Sequence, residues 1–486
     1  MIIQDIKGGV ILKTRKKRVF AFAMSMFCII QSVACATPEG ENLTPTSITI
    51  QTGDMNMEKT EHNTGINAIQ LAKAVYPKMA QYPKTDGFTW EEEEYEAWRT
   101  SLAAQRPENT EYQNGIREFY EITMQEFLTD TEGKNKVYSP LNVYMALAML
   151  AETTEGESQA QLLNLLHTDS IETLRNNASI LWNANYCDDG TVTSLLASSV
   201  WLNDKNSYNM KTLETLAEYY YASSYSGTMG SVEYNKMLQE WLNEQTGGLL
   251  KEQAEQIELD PQTVLALAAT VYFRAKWENE FHPSNNTQEV FHTTTGDVMT
   301  EFMHQSGTNT YYWGENFGAI ARRLENSGTM LFILPDEGIN PEDLLADTEV
   351  HEFIYDYNMW ENQKFLIVNQ SIPKFDVASD YSIIEGLKKL GVMDVFDASK
   401  SDFTPLLPKE DNTGTTQISV DEAKHAARVM IDEEGCIATA FTVMIACGAG
   451  RPPQEQIDFV VDRPFLFVIN GQDNQPLFIG IVNQPK

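Results

Sequence analysis

Apolar positions alternate between two periods along most of this chain. Ile116, Phe119, Ile122, Met124 and Phe127 fall at roughly helical spacing, predicting an amphipathic helix at the start of a main domain near Glu111. Val137-Tyr138 reads as a short strand that ends at Ser139-Pro140-Leu141 and opens a helix through Ala146-Leu147-Ala148-Met149-Leu150. Proline is cheap at a helix start, where its missing N–H has no partner to lose. Residues 197–202 read as a strand, and residues 235–245 as an amphipathic helix that carries Trp241 and stops at Thr246-Gly247-Gly248. Residues 264–273 are almost wholly apolar, which predicts a strand buried on both faces. Residues 319–324 and 329–334 flank Asn326-Ser327-Gly328, and residues 465–469 and 477–482 flank Asn470-Gly471; both read as hairpins. Ile372-Pro373-Lys374-Phe375 closes another strand, and residues 381–390 read as a short helix. Strands and helices intermix without regular alternation and without an internal repeat, so the fold class is α+β.

Upstream, residues 37–63 are polar and read as a tether. From residue 68 to 106 the pattern changes. Leu71, Val75 and Tyr76 stand at helical spacing, and Trp90, Tyr95 and Trp98 surround the acidic run Glu91 to Glu94. This extension, taken as residues 37–110 in all, is expected to be partly helical and packed on the main domain, its acidic run a solvated helix face.

The most informative stretch runs from His425 to Phe465. Val429, Met430 and Ile431 are strand-like, Glu433 and Glu434 follow, and Gly435 is placed to act as a hinge. Alternate residues of a strand share a face. Cys436, Ala438, Ala440, Thr442, Met444 and Ala446 form one set, mostly small. Ile437, Thr439, Phe441, Val443 and Ile445 form the other, large and β-prone. Yet Gly448, Gly450, Pro452 and Pro453 read as exposed loop. The segment is written both as a loop and as a central strand with its small side inward.

Glu433-Glu434-Gly435, the alanine-rich hinge and Asp462-Arg463-Pro464-Phe465 together resemble the reactive loop of a serpin. Ser139-Pro140, Trp277 within Lys276-Trp277-Glu278, and Pro373-Lys374-Phe375 stand in that family's order, so the resemblance covers residues 111–486. It implies a large, mostly antiparallel central sheet, two further sheets, about nine helices and an exposed reactive loop. It also implies an irreversible suicide inhibitor of serine endopeptidases. The target attacks one loop bond and forms an acyl intermediate; the cut loop then enters the main sheet as a new strand and traps it. Neither charge nor proline occurs early in the insert, which favours inhibition over substrate behaviour. Two alternatives stand beside this one: a non-inhibitory binding protein of the same fold, and a cross-class inhibitor of cysteine proteases. The family's sheet-opening cluster carries over to Ser139, Asn142, Ala269 and His425, with Trp277 as a gate. Since Ala269 stands where the family has asparagine, Asn142 is expected to supply the missing amide. Counting forward from Gly435 by the family's loop length puts the reactive bond at Ala449-Gly450, whereas counting back from Pro464 reaches Pro453. Arg451 is a further candidate, disfavoured by the Pro452 that follows it.

Composition narrows the partners. Acidic residues number 69 against 35 basic, a net charge of −34 over 486 residues, which repels phosphate backbones and argues against nucleic acid. The basic cluster from Lys13 to Arg18 precedes an apolar run too short for a membrane span, so residues 1–36 read as an export signal. Ala34-Cys35-Ala36 fits ordinary cleavage, while Ser32-Val33-Ala34-Cys35 resembles a bacterial lipoprotein signal that would lipidate Cys35. The expected location is therefore the cell surface, outer membrane, periplasm or exterior, with lipid the only membrane contact. Of five cysteines, Cys187, Cys436 and Cys447 lie past the cleavage zone; an odd number implies no disulfide framework, and Cys436 and Cys447 are expected as free thiols. No HExxH, CxxC, P-loop or GxSxG occurs, so neither metal nor cofactor is expected and an enzyme is disfavoured. A monomer is the expected state.

Overall fold

Seventeen strands form among the described residues of the computed structural model, which are 68–83, 92–105, 113–407, 418–436 and 453–485. In chain order they are β1 (Ile69–Ala72), β2 (Lys136–Tyr138), β3 (Cys187–Asp188), β4 (Thr193–Asn203), β5 (Ala222–Gly227), β6 (Leu265–Lys276), β7 (Thr287–Thr293), β8 (Gly296–Trp313) and β9 (Phe317–Arg323). They continue as β10 (Thr329–Pro335), β11 (Gln363–Pro373), β12 (Phe375–Ser382), β13 (Lys424–Ile431), β14 (Gly435–Cys436), β15 (Gln456–Val460), β16 (Phe465–Asn470) and β17 (Pro476–Val482).

The main sheet runs β1-β5-β4-β6-β14, with β3 hydrogen-bonded to β4. All its ladders are antiparallel except β4 with β5. β12 and β13 form a separate antiparallel ladder. The main sheet is thus accompanied by two further sheets, this ladder and a nine-stranded one. β8 is long enough to pair with β7, β11 and β9 in turn, and so joins them into the order β15-β11-β8-β9-β10-β16-β17-β2. Eleven α-helical segments occur among the described residues, several a single turn long.

Both predicted hairpins form, as β9–β10 and β16–β17. The first predicted helix spans Gln113–Leu128 and buries Ile116, Phe119, Met124 and Phe127. The helix Pro140–Glu152 starts with proline in its first turn, and the Ser139 hydroxyl accepts from the Asn142 N–H. It is buried almost throughout and packs on β6 from below. The helix Val232–Gln245 lies on the opposite face, where Tyr234 and Leu238 meet Trp201, Ala266 and Ala268.

Three expectations need correction. The helical spacing of Leu71, Val75 and Tyr76 does not make a helix, because Ile69–Ala72 pairs with β5 and extends the main sheet. Tyr76 instead packs its ring 5.4 Å from Trp182 and 5.7 Å from Tyr186. Edge pairing and aromatic stacking win over periodicity there. The helical part of the extension is Glu92–Gln105, which is anchored where Trp98 donates to Asp189 at 2.8 Å and leaves Glu93 and Glu94 exposed. Next, β6 is covered on both faces but is not fully buried. Its first five residues are half-buried, and among the described residues none of them is paired on the edge away from β4. Finally, Tyr381 and Ser382 end strand β12, so the helix there is only Ile384–Lys389.

Candidate functional site

A cleft lies between β6 and β13. Val271, Tyr272 and Phe273 line one side, and Arg428, Val429 and Met430 the other. Thr246, Leu249 and Leu250 border it, and Cys436 stands in its wall. Arg428 is fixed in place by Asp376, at 2.8 and 2.6 Å, and donates to the Leu249 carbonyl at 3.1 Å.

β14 enters the cleft from one end. Gly435 pairs with Lys276 and Cys436 with Ala275. Gly435 is required sterically as well as for hinging. It holds φ +154°, and a Cβ there would stand 2.4 Å from the Ala275 carbonyl oxygen and 2.7 Å from Lys276 Cα. Cys436 is buried with its thiol free, and burial pushes that thiol up to about 12, so it is a poor nucleophile.

The turn before β14 is pinned at every residue. The Asp432 carboxylate accepts from the N–H groups of Glu434 and Gly435. Trp277 donates its indole N–H to the Asp432 carbonyl at 2.9 Å and its backbone N–H to the Glu434 carbonyl at 2.9 Å. Phe281 N–H donates to the Glu433 carbonyl at 2.9 Å. Trp277 is itself buried and bridges to Leu324. The Glu433 carboxylate meets Lys374 Nζ at 2.6 Å and the Asn286 amide at 2.5 Å; Lys374 also reaches Glu301 at 3.2 Å. Burial works to raise Glu433, but Lys374 and Asn286 outweigh it and hold the carboxyl below its usual range.

Beneath the sheet, all four carried-over positions are joined in series, Ala269 through its backbone carbonyl. Ser139 N–H donates to His425 Nε2 at 3.1 Å, the Ser139 hydroxyl accepts from Asn142 N–H at 3.4 Å, and Asn142 Nδ2 donates to the Ala269 carbonyl at 2.9 Å. The Asn142 amide thus bonds the backbone of Ala269, and it reaches His425 only through Ser139. His425 is buried between the rings of Tyr138 and Tyr381, 5.3 and 5.7 Å away. Burial pushes its imidazole down to about 4. With Nε2 accepting, the ring proton of the neutral form sits on Nδ1.

Sequence reading did not assign roles to Asp432, Lys374, Asn286 or Glu301. Lys374 was visible only as a charge after proline at the end of an apolar strand. Asn286 and Glu301 lie over a hundred residues from the hinge and give no local signal. Ala438, Ala440, Ala449, Gly450, Arg451, Cys447 and the candidate lipidation site Cys35 lie outside the described residues. Among the described residues, no group of His, Cys, Asp and Glu has metal-site geometry, and no helix is long and apolar enough to cross a membrane.

A hinge strand laid into a cleft of a mixed main sheet, beside a second sheet that ends in a C-terminal hairpin, defines the class. A family model described as Serpin (serine protease inhibitor) matches residues 115–485, and the chain belongs to the serpin family. Leukocyte elastase inhibitor of Homo sapiens is 27% identical over 368 residues, spanning 72% of this chain and 93% of that protein. Alpha-1-antitrypsin of Meriones unguiculatus is 28% identical over 360 residues, spanning 72% and 84% respectively. The native-state crystal structure of the thermophilic serpin tengpin matches with a TM-score of 0.67 at 25% identity, over 78% of this chain and 96% of that one.

Proposed function

We propose that this serpin is inhibitory: an irreversible suicide substrate of serine endopeptidases. The observation that carries this reading is the register of β14. Gly435 opposite Lys276 and Cys436 opposite Ala275 set an antiparallel ladder. Continued unchanged after cleavage, it would place Ala446 opposite Leu265, the first residue of β6. The small-sided alternation in the sequence ends at the same residue. Ala275, Phe273, Val271, Ala269, Leu267 and Leu265 face the main core, whereas Ala266 and Ala268 face the Val232–Gln245 helix. The small set therefore enters core-side and the large set packs under that helix. β6 is 12 residues long, about 40 Å at 3.3 Å per residue. An acylated protease attached just past Ala446 is carried that distance to the far end of the sheet. The reactive bond is Ala449-Gly450 on this reading, three residues beyond the last pairing position. Export through residues 1–36, with Cys35 lipidated or the chain released by ordinary cleavage, completes the proposal.

The test is incubation with a panel of serine and cysteine endopeptidases followed by a denaturing gel. A complex that survives boiling, with a released C-terminal peptide beginning at Gly450 by mass spectrometry, is the expected result. Complete loop cleavage by every protease without any complex overturns inhibition and assigns the chain to the non-inhibitory members. Complex formation confined to cysteine proteases changes the target class.

A further inference from the structure

Arg322, on β9, is only 6% exposed, yet among the described residues no carboxylate stands within ion-pair distance of it. Its guanidinium donates to neutral oxygens: Gln305 Oε1 at 2.8 Å, Gln370 Oε1 at 2.6 Å and the Asn279 carbonyl at 2.5 Å. Its Nε is left without a partner. What it has besides is aromatic: its Cζ lies 4.0 Å from the Phe281 ring centroid and 5.0 Å from that of Trp277. A buried cation with no counter-ion is a cost to stability, and an apolar residue of similar size usually fills such a site at least as well. Stability alone therefore does not account for arginine here.

The two rings it holds are the two residues that anchor the hinge. Trp277 binds the carbonyls of Asp432 and Glu434, and Phe281 binds that of Glu433. Gln305, which accepts from Arg322, also donates to the Glu280 carbonyl at 3.1 Å, next to Phe281 in the chain. A desolvated cation over an aromatic face is strongly directional, and the planar guanidinium fork fixes three oxygens at once. We propose that Arg322 is a positioning residue that locks Trp277 and Phe281, and through them the hinge turn, in the pre-cleavage arrangement. It deepens the inhibitory reading and rests on it only for what the lock serves: keeping the loop out of the sheet until it is cut.

The lock itself is tested without a protease, by hydrogen–deuterium exchange on the intact chain. In Arg322→Met, the amides of Trp277 and Phe281 and of Glu434 and Gly435 are expected to exchange about tenfold faster. Amides of the β4–β6 ladder and the melting temperature should stay the same, or the melting temperature should rise. Arg322→Lys keeps the charge without the fork and should fall between. On the inhibitory reading, the Met variant also needs more inhibitor per protease molecule inactivated, with the association rate unchanged. Unchanged exchange at Trp277 and Phe281 in both variants overturns the proposal. So does faster exchange throughout the sheet with a lower melting temperature, which marks a structural residue only. Should the Met variant fail to fold, the Lys variant decides alone by the same amides. Failure of the wild type to trap any protease refutes the inhibitory reading and leaves the exchange result standing.

Discussion

The two edges of β6 differ in kind. Along one, ten residues from Leu265 to Arg274 pair in unbroken register with β4. Along the other, among the described residues, only Lys276 and Ala275 pair, with Gly435 and Cys436. β13, across the cleft, pairs with β12 alone among the described residues. At about 1 kcal/mol net per backbone hydrogen bond, a strand added along the second edge would contribute on the order of 10 kcal/mol, before any apolar burial. That is comparable to the whole stability of an ordinary domain. One edge holds the fold together; on the inhibitory reading, the other is kept for the cleaved loop. Isolated hydrogen bonds stand along the second side in place of a strand: the Asn142 amide on the Ala269 carbonyl, the Ser139 N–H on His425, and the Trp277 indole and the Trp277 and Phe281 backbone N–H groups on the hinge.

The sharpest way to break the contrast is to poison the second edge and leave the first alone. Cys436→Asp puts a carboxylate where the pairing begins, opposite a fully buried Ala275. An unpaired buried charge costs several kcal/mol. Covalent complex should fall by about 100-fold or more while the loop is still cleaved, as read by denaturing gel. Stoichiometric complex from this variant would overturn insertion in the register set by Gly435 and Cys436.

Acid should act on the buried His425. The folded His425 titrates near 4, below its ordinary 6.5. Between those values the unfolded chain takes up a proton that the folded chain does not. The folded state therefore keeps its full advantage above about pH 6.5 and loses it as pH falls toward 4. A shift of this size is worth about 3 kcal/mol. Urea unfolding at pH 7, 5.5 and 4 should show that slope, and His425→Asn should flatten it. An identical slope in the variant would place the acid sensitivity elsewhere. Asn142→Ala has a smaller reach. It removes one donor to the Ala269 carbonyl, at a cost of about 1–2 kcal/mol, and should speed amide exchange in β6 more than in β12. Equal effects on both strands would make Asn142 an ordinary packing residue.

What could be read from the chain follows the same division. Elements stabilised by their own local pattern were legible: the hairpins around Gly328 and Gly471, the Pro140 helix start and the first amphipathic helix. At the second edge the hinge glycine, Gly435, was legible, whereas the alternation from Cys436 to Ala446 falls almost wholly outside the described residues. The restraints on that edge were not legible, because they join residues far apart in sequence. Asn286 and Glu433 are separated by 147 positions, and Asn142 and Ala269 by 127. Arg322 gave no signal, since a charge at the end of a strand is usually solvated and only burial shows otherwise. The 68–83 segment misled by its spacing because an edge strand takes its partner from the sheet it joins, whatever its own periodicity.

The weakest restraint on the second edge is expected to be the ion cluster at its entrance. Lys374 bridges Glu433 at 2.6 Å and Glu301 at 3.2 Å, with side chains 27%, 14% and 41% exposed. Water reaches all three, so the Coulomb gain is screened and partly offset by ordering a long side chain. Lys374→Met would leave two carboxylates sharing one Asn286 amide. The expected loss is about 1 kcal/mol or less at pH 7. Both carboxyls are held below their usual range, Glu433 by Lys374 and Asn286 against its burial, Glu301 first by Asn286 and then by Lys374. Their contribution is therefore complete above the ordinary carboxylate value and fades as pH falls through the depressed folded values. The Met variant and the wild type should converge in urea stability at acid pH, and also in about 1 M salt, where the screening length shrinks to about 3 Å. A difference that persisted in high salt at neutral pH would show that Lys374 acts through the packing of its methylene stem, and that the entrance is closed by shape and not by charge.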